Sequence, residues 1–321
     1  MTRRLVSFRD TDPVADVFAA ADLDVREVPK GKYDAETLID HAAGAEALFV
    51  HSENEYGRAL FEAVESLRVV GKAGSGIDNI DVDAATDSGV VVVHTPGMNA
   101  ASVGEFTVGL LVAHWRRIPA AERHLRDGGW RSPSWWGTEL RDKTVGLVGL
   151  GAAGTETAKR LRPFGPDLVA HDPYVDPDHA ASVGAELTDL DDLLGRSDVV
   201  SLHVRLTEET RGLIDADAFE RMRDDALLVN TARAGVVDRE ALLDALDAGA
   251  IGGAALDVFH EEPPDPADPL FDHDHVTATP HLAGAGRETR IEMLRTTAEA
   301  VVAVLDGDPV DERFVANPDA L

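Results

Sequence analysis

Four side chains that could act on a substrate each follow a short apolar run in the second half of the chain: His203, Arg233, Asp257 and His281. Such runs alternate with amphipathic stretches, and this alternation predicts an α/β fold with parallel strands. Ligands of an open parallel sheet bind beyond the carboxyl ends of its strands. The guanidinium fork of arginine binds carboxylates, and an imidazole exchanges protons near neutral pH. The set therefore suits a reaction on an anionic carbonyl compound.

Structural roles remain open for the same residues. Arg233 is one of 25 arginines and His281 one of 12 histidines, and a single histidine is more often structural than catalytic. Pro280 and the glycine-rich residues 283–286 indicate a tight loop around His281, which favours a functional role. Glu262 lies in an acidic stretch, so its local sequence indicates a solvated side chain.

A metal centre is the other chemistry that this region suggests. Imidazoles and carboxylates are metal ligands, and the candidates are His260, Glu261, Glu262, Asp272, His273, Asp274, His275 and His281. Their spacing matches no compact motif such as H-E-x-x-H. The residues from Asp272 to His275 are typical of a solvated loop, so we predict no metal site.

A glycine motif, G-x-G-x-x-G at residues 149–154, lies between an apolar run and a helical stretch at 155–161. Its glycines, Gly149, Gly151 and Gly154, allow a tight turn and the close approach of a pyrophosphate to a helix N-terminus. Asp172 follows 18 residues after Gly154. A carboxylate there can accept hydrogen bonds from ribose hydroxyls and would repel a 2′-phosphate, which favours NAD over NADP.

The elements that would position these residues can be placed from the apolar pattern. Strands are predicted at residues 5–8, 47–50, 69–72, 90–94, 144–150, 167–170, 198–203, 226–231, 253–258 and 276–279. Ser102 and Glu105 fit a capping box that would begin a long helix. A last helix is predicted around Ile291 to Leu305 from helical spacing of its apolar residues. Residues 264–274, rich in Pro and Asp, are predicted to be a loop.

Composition excludes several classes of function. The 321 residues, long enough for two domains, carry a formal net charge of −29, which argues against binding nucleic acid or an anionic membrane. There is no cysteine and therefore no disulfide or thiolate site. The chain has five lysines against 25 arginines and an excess of acidic residues. This composition resembles that of proteins from halophiles, in which salt screens such charges. With no apolar stretch typical of a membrane span or signal peptide, we expect a cytoplasmic protein.

Several motifs taken together resemble the D-isomer-specific 2-hydroxyacid dehydrogenase family, and within it the phosphoglycerate dehydrogenases. They are residues 71–81 (GKAGSGIDNID), 144–151 (TVGLVGLG), 230–235 (NTARAG), 256–259 (LDVF) with Glu262-Pro263, and 279–281 (TPH). The resemblance implies a Rossmann domain inserted into a flavodoxin-like substrate domain, both with parallel sheets. The implied boundaries are 1–99 for the first part of the substrate domain, 100–284 for the NAD-binding domain and 285–321 for the returning helix and tail. A cleft between the domains is expected to close on cofactor and substrate.

The resemblance also implies a role for each residue. Arg233 would bind the substrate carboxylate and polarise the keto oxygen, and His281 would be the acid in reduction and the base in oxidation. Glu262 would favour the imidazolium and orient its ring, while the Asp257 carboxylate would lie near the nicotinamide carboxamide. Implied cofactor contacts are Gly149, Gly151, Ala152, Ala153, Gly154, Asp172, His203, Thr231, Ala232, Arg233, Asp257, His281 and Gly284. Implied substrate contacts are Lys72, Gly74, Ser75, Gly76, Arg233 and His281.

Two departures from the family pattern bear on specificity. Arg205 replaces the proline of the usual His-x-Pro, and its charge could offset Asp172 and admit some NADP. His51 stands where phosphoglycerate-specific relatives have a second basic residue beside the match to Lys72. Because a neutral imidazole is a poor phosphate anchor, the substrate remains a small 2-hydroxyacid of undetermined side chain. Phosphoglycerate dehydrogenase proper and a non-catalytic NAD-sensing protein are the alternatives.

All four tryptophans lie in one segment: Trp115, Trp130, Trp135 and Trp136. Tryptophan is enriched at interface hot spots. We therefore expect this segment to form a homodimer contact, with a local core as the alternative.

Overall fold

The computed structural model describes residues 3–321, except for the side chain of Ser134. Backbone contacts divide the chain into two compact units. The first unit contains the described residues up to Asn99 together with Gly286–Leu321, and the second contains Ala100–Ala285.

The described residues form twelve strands. Their bounds are β1 Arg3–Ser7, β2 Leu23–Glu27, β3 Ala47–Val50, β4 Val69–Lys72, β5 Val91–His94, β6 Thr144–Val148, β7 Asp167–His171, β8 Ala185–Leu187, β9 Val199–Leu202, β10 Leu227–Asn230, β11 Gly253–Leu256 and β12 Val276–Ala278.

The helices between the strands are mostly short. Their bounds are α1 Ala15–Ala20, α2 Ala35–Ala42, α3 Arg58–Ala63, α4 Val82–Asp87, α5 Ala100–Trp115, α6 Ile118–Arg126, α7 Ala152–Leu161, α8 Pro177–Ser182, α9 Leu190–Arg196, α10 Ala216–Arg221, α11 Arg239–Asp247 and α12 Arg287–Asp306. Several of them begin with an aspartate N-cap. The aspartate carboxylate accepts hydrogen bonds from the free N–H groups at the helix start and complements the helix dipole. These caps are Asp34, Asp81, Asp176, Asp189, Asp215 and Asp238.

The first unit is a parallel five-stranded sheet in the order β2-β1-β3-β4-β5, which is the flavodoxin-like order. Its central strands are buried along their length, as continuous apolar runs predict. Helix α12 returns to this sheet and packs closely on β4. A Cβ atom on Gly71 would lie 2.5 Å from Val301 Cγ2, so glycine is required there.

The second unit is a parallel seven-stranded sheet in the order β12-β11-β10-β9-β6-β7-β8. Numbered within the unit, this is the doubly wound order of a Rossmann fold with one added strand, and the order reverses between β6 and β9. The α/β architecture with two parallel sheets is thus confirmed.

Most predicted elements are confirmed to within one or two residues, and three corrections are needed. Strands β2 and β8 were missed because these edge strands carry exposed polar residues and form no apolar run. The capping box at Ser102 is wrong, since α5 begins at Ala100 and places Ser102 inside the helix. The predicted loop 264–274 contains a short 3-10 helix, Pro269–Asp272, capped by Asp268.

None of the helices described is both long and apolar enough to span a bilayer.

His114 should make the stability of the second unit depend on pH. It lies at the end of α5, where Nδ1 shares a hydrogen bond with Thr277 Oγ1 at 2.9 Å. Burial, with the charges of His275 and Arg117, lowers the pKa of His114 from 6.5 to about 4. Below pH 6.5 the unfolded chain therefore binds a proton that the folded unit excludes, so stability is full above that pH and falls toward pH 4. Between pH 6.5 and pH 4, we expect the free energy of unfolding to fall by about 1 to 3 kcal/mol because of this residue.

Urea unfolding of the wild type and of His114→Gln at pH 7 and pH 4.5 measures this contribution. The difference in the free energy of unfolding between the two proteins should shrink at the lower pH. Protonation of carboxylates affects both proteins equally, so it does not contribute to this difference. A difference that does not change with pH would contradict the assignment.

Candidate active site

The polar residues singled out in the second half of the chain lie at one edge of the second sheet. His203 follows β9, Thr231 to Arg233 follow β10, Asp257 follows β11, and His281 follows β12 by three residues. These four strands are parallel neighbours, so their carboxyl ends share that edge. The glycine turn after β6 lies at the same edge, because β6 pairs with β9 in parallel.

His281 and Glu262 form a directly bonded pair. His281 Nδ1 lies 2.7 Å from Glu262 Oε2, and Glu262 Oε1 accepts a hydrogen bond from the Phe259 N–H at 3.1 Å. An ionised carboxylate only accepts, so Nδ1 carries the proton and Nε2 is left to exchange a proton with a ligand. Both side chains are partly exposed, at 46% and 39%, so a ligand can reach the imidazole.

Arg233 acts electrostatically on the same pair. Burial alone would raise the pKa of Glu262, but the hydrogen bonds from His281 and Phe259, with the charges of His281 and Arg233, lower it overall. Glu262 therefore stays ionised at neutral pH. The Arg233 main chain is extended at the end of β10, its carbonyl accepts from Asn230 Nδ2, and Nη1 donates to the Ala232 carbonyl at 2.8 Å. The structure thus brings the three predicted catalytic residues together in one unit.

Asp257 holds the loop that carries His281. It is fully buried, and its carboxylate accepts from Thr279 Oγ1 at 2.6 Å, the Leu282 N–H at 2.9 Å and the Ala283 N–H at 2.7 Å. Its carbonyl accepts from the His281 N–H, and His281 itself takes a left-handed φ of 54°. The expected contact of this carboxylate with the nicotinamide carboxamide stays a prediction, and the three hydrogen bonds show that the same carboxylate also fixes the loop.

The glycine turn fits a dinucleotide. Gly149 has a φ of 94°, and a Cβ on Gly154 would lie 2.2 Å from the Gly149 carbonyl oxygen, so neither position accepts a larger residue. A Cβ on Gly151 would meet nothing within 4 Å, which leaves open space at the start of α7. Ala152 and Ala153 begin that helix, and its first N–H groups can bind a pyrophosphate.

Asp172 connects the glycine turn to the end of β7. Its Oδ2 accepts from the Leu150 N–H at 2.8 Å and its Oδ1 from the Tyr174 N–H at 3.0 Å. The carboxylate is thereby fixed beside the turn, and the further lone pairs of its oxygens can accept from ribose hydroxyls. Arg205 is exposed two residues after His203.

The remaining predicted cofactor residues differ in how accessible they are. His203 Nε2 bonds to Ser201 Oγ at 2.9 Å, and burial lowers the pKa of His203 to about 4, so the ring is neutral. Thr231 is 7% exposed and shares a hydrogen bond with Thr107 Oγ1 at 2.8 Å. Ala232 and Gly284 are partly exposed. Thr107 belongs to no local motif of the sequence, whereas Thr279 begins the motif 279–281 without having been assigned a role of its own.

The predicted substrate residues of the first unit follow β4. Lys72 is nearly buried, and its Nζ donates to Asn79 Oδ1. The Gly74 N–H donates to Thr95 Oγ1 at 2.9 Å, and its expected bond to a substrate carboxylate stays a prediction. Ser75 Oγ donates to Asn99 Oδ1 at 2.7 Å. The amides of Ser75 and Gly76 are the other predicted donors in this loop.

Among residues 3–321, no group of three or more histidine, aspartate or glutamate side chains is arranged to hold a metal ion.

Comparison with known proteins gives one consistent result. The sequence model of "D-isomer specific 2-hydroxyacid dehydrogenase, NAD binding domain" matches residues 108–283. The chain is 42% identical over 275 residues to a D-3-phosphoglycerate dehydrogenase of Archaeoglobus fulgidus, covering 86% of this chain and 52% of the relative. It is 43% identical over 279 residues to the D-3-phosphoglycerate dehydrogenase of Mycobacterium tuberculosis, and this match covers 87% of this chain and 53% of the relative. The chain thus spans about half the length of these curated relatives.

Solved structures agree in fold. A Thermus thermophilus protein superposes with a TM-score of 0.88 at 34% identity, covering 95% of this chain and 97% of that one. The apo D-lactate dehydrogenase of Escherichia coli superposes with a TM-score of 0.84 at 27% identity, covering 96% of this chain and 98% of that one. A glyoxylate reductase of Paecilomyes thermophila superposes with a TM-score of 0.87 at 26% identity, covering 100% of this chain and 99% of that one.

Proposed function

Because the chain belongs to the D-isomer-specific 2-hydroxyacid dehydrogenase family, we propose that it transfers hydride between NAD(H) and a small D-2-hydroxyacid or the corresponding 2-oxo acid. The observation that carries this proposal is the 2.7 Å pair of His281 and Glu262, at the same sheet edge as Arg233 and the glycine turn. A proton donor, a cation for an anionic substrate and a dinucleotide turn are the three parts that the reaction requires.

Each residue has a defined task in the reduction. The guanidinium of Arg233 binds the substrate carboxylate and draws electron density from the oxo group at C2. His281 donates the proton from Nε2 to the developing alkoxide, and the same imidazole takes the proton back in oxidation. Glu262 stabilises the imidazolium and fixes its plane, while Asp257 holds the loop in place. NAD, when bound, supplies or accepts the hydride at C4 of its nicotinamide.

NAD is the expected coenzyme, because the fixed Asp172 carboxylate suits a ribose diol and repels a 2′-phosphate. The nearby Arg205 is the reason to test NADPH as well.

The proposal is tested by the loss of NADH absorbance with glyoxylate, hydroxypyruvate, pyruvate and longer 2-oxo acids in molar KCl, with NADPH in a parallel series. We expect at least one 2-oxo acid to oxidise NADH. Tight NADH binding without turnover of any 2-oxo acid would instead support the non-catalytic NAD-sensing alternative. The named relatives act on different 2-hydroxyacids, so D-3-phosphoglycerate is one candidate substrate among several.

We also propose that the protein is a homodimer and that residues 118–136 contribute to the interface. Trp130 and Trp136 are 74% and 80% exposed, and Ile118 and Leu125 on α6 are also more than half exposed. A run of exposed large apolar side chains is typical of a protein interface. Trp115 differs from the other three tryptophans, since it packs against the core of the second unit.

The double substitution Trp135→Ala and Trp136→Ala should therefore convert the dimer to a monomer in size-exclusion chromatography at high salt. Tyr174→Ala is the matched control, because Tyr174 is equally exposed, at 82%, in a different part of the same unit. A double variant that still elutes as a dimer would remove this interface from the proposal.

The setting that we propose is the cytoplasm of a halophile. A charge of −29 opposes the compact state in dilute buffer, and at 1 M salt the screening length falls to about 3 Å.

A further inference from the structure

A hydrogen bond between two exposed side chains joins two loops at the carboxyl edge of the second sheet. The Tyr174 hydroxyl donates to Glu209 Oε2 at 2.8 Å. Tyr174 lies three residues after β7 and Glu209 seven residues after β9, and β6 lies between these two strands in the sheet. The bond therefore connects the loops on either side of the glycine turn, which follows β6.

The main chain of Tyr174 is tied to the glycine turn through one carboxylate. Asp172 Oδ1 accepts from the Tyr174 N–H at 3.0 Å, and Oδ2 of the same residue accepts from the Leu150 N–H at 2.8 Å. The aromatic residue is therefore held at two points, by its own N–H and by its hydroxyl. Rotation of the ring away from the turn would break the bond to Glu209.

The loop that carries Glu209 is also fixed. Thr210 Oγ1 accepts from the Thr207 N–H at 2.8 Å, which closes a local turn around Glu209. Nearer to β9, the same loop packs on the glycine turn, since a Cβ atom on Gly149 would lie 2.9 Å from Val204 Cγ1. The acceptor of the tyrosine hydroxyl is therefore held in place relative to the same turn as the donor.

Tyr174 is unusually exposed for an aromatic residue. Its side chain is 82% exposed, whereas aromatic side chains ordinarily bury most of their surface. The hydrogen bond to Glu209, with the charges of Glu209 and Asp172, raises the pKa of Tyr174. The hydroxyl therefore stays protonated at neutral pH and continues to donate. An open aromatic ring that is held in one place suits stacking against a planar group.

The adenine of a dinucleotide is the planar group that fits this location. The first N–H groups of α7 suit a pyrophosphate, and the Asp172 carboxylate suits a ribose. A dinucleotide bound in this way has its base beyond Asp172, in the region that the loops after β7 and β9 border. Ligands of a doubly wound sheet bind where the strand order reverses, which is between β6 and β9 here.

We propose that Tyr174 and Glu209 form a clasp across the glycine turn that retains the adenine end of the coenzyme. Tyr174 is the binding residue, whose ring stacks on the base, and Glu209 is the positioning residue that holds the ring. This inference rests on the proposed function for the identity of the ligand.

Two reduced coenzymes that differ only in the adenosine end test the clasp. Tyr174→Ala should raise the Kd for NADH about 5- to 30-fold through faster dissociation, because the stacking contact is lost. The Kd for reduced nicotinamide mononucleotide, which has no adenine, should stay nearly unchanged. Fluorescence titration and stopped-flow displacement in molar KCl measure both quantities. Phe164→Ala is the matched control, since Phe164 is an exposed aromatic residue of the same unit that precedes β7.

The positioning role of Glu209 has a separate test. Tyr174→Phe keeps the ring and loses the hydroxyl, and Glu209→Ala loses the acceptor. Each change should raise the Kd for NADH about 2- to 5-fold, and the double variant should show no larger effect than either one, because both remove the same bond. Effects that multiply in the double variant would show that Glu209 does not act through Tyr174 and would overturn its role in the clasp.

Calorimetric titration with ADP-ribose gives a readout that needs neither nicotinamide nor turnover. ADP-ribose should bind equally to the wild type and to Phe164→Ala, and about 5- to 30-fold more weakly to Tyr174→Ala. Equal losses of affinity for NADH and for the mononucleotide, or no loss for either, would overturn the clasp and leave the proposed function intact. ADP-ribose binding that depends on Tyr174, without reduction of any 2-oxo acid, would support the clasp and contradict the proposed function.

Discussion

Replacing His281 with alanine is expected to lower kcat for reduction of a 2-oxo acid by about 10²- to 10⁴-fold, with little change in the Kd for NADH. The imidazole is the group whose Nε2 can deliver a proton to the alkoxide, since its Nδ1 is committed to Glu262. The glycine turn and Asp172, which hold the dinucleotide in this account, are unaffected by the substitution.

Stopped-flow turnover and fluorescence titration with NADH separate these two quantities. His260→Ala is the control, because His260 is exposed two residues before Glu262 and has no assigned task. If NADH affinity collapsed while bound coenzyme still turned over, His281 would be a binding residue and not the acid.

Replacing Arg233 with lysine should lower kcat/KM by about 10²- to 10³-fold, although the charge is kept. A lysine ammonium cannot present two parallel donors to a carboxylate, and its shorter reach to the oxo group weakens polarisation. Steady-state kinetics with the best substrate of the 2-oxo acid series measure the loss.

Arg223→Lys serves as the control for this change. Arg223 pairs with Asp225 in an exposed ion pair before β10, at the amino end of the strand that Arg233 follows. A similar, small effect of both substitutions would show that Arg233 acts only as a diffuse positive charge.

The strands and the catalytic residues could be predicted because their signals are local. A buried parallel strand is a continuous apolar run, so β3 and β4 were placed to the residue. Reactive side chains at the ends of such runs then fall on one edge of the sheet without further information. His281 and Arg233 were found in this way, and the family motifs added Glu262.

Edge strands, and the hydrogen-bond partners of buried side chains, gave no comparable signal in the sequence. In β2, every residue is at least partly exposed, so no apolar run marks the strand. Asp257 was correctly placed at a strand end, but its three donors come from residues 279–283, which only the folded chain brings near. Ser102 shows the reverse error, since the local capping pattern was present but the helix began earlier, at Ala100.

Transfer of deuterium from NADH labelled at C4 of the nicotinamide tests the central claim most directly. With a reactive 2-oxo acid, we expect one deuterium at C2 of a product of D configuration for each labelled NADH oxidised, as read by NMR and chiral chromatography. Coenzyme that binds tightly and yet leaves C2 of every 2-oxo acid unlabelled would contradict hydride transfer by this protein.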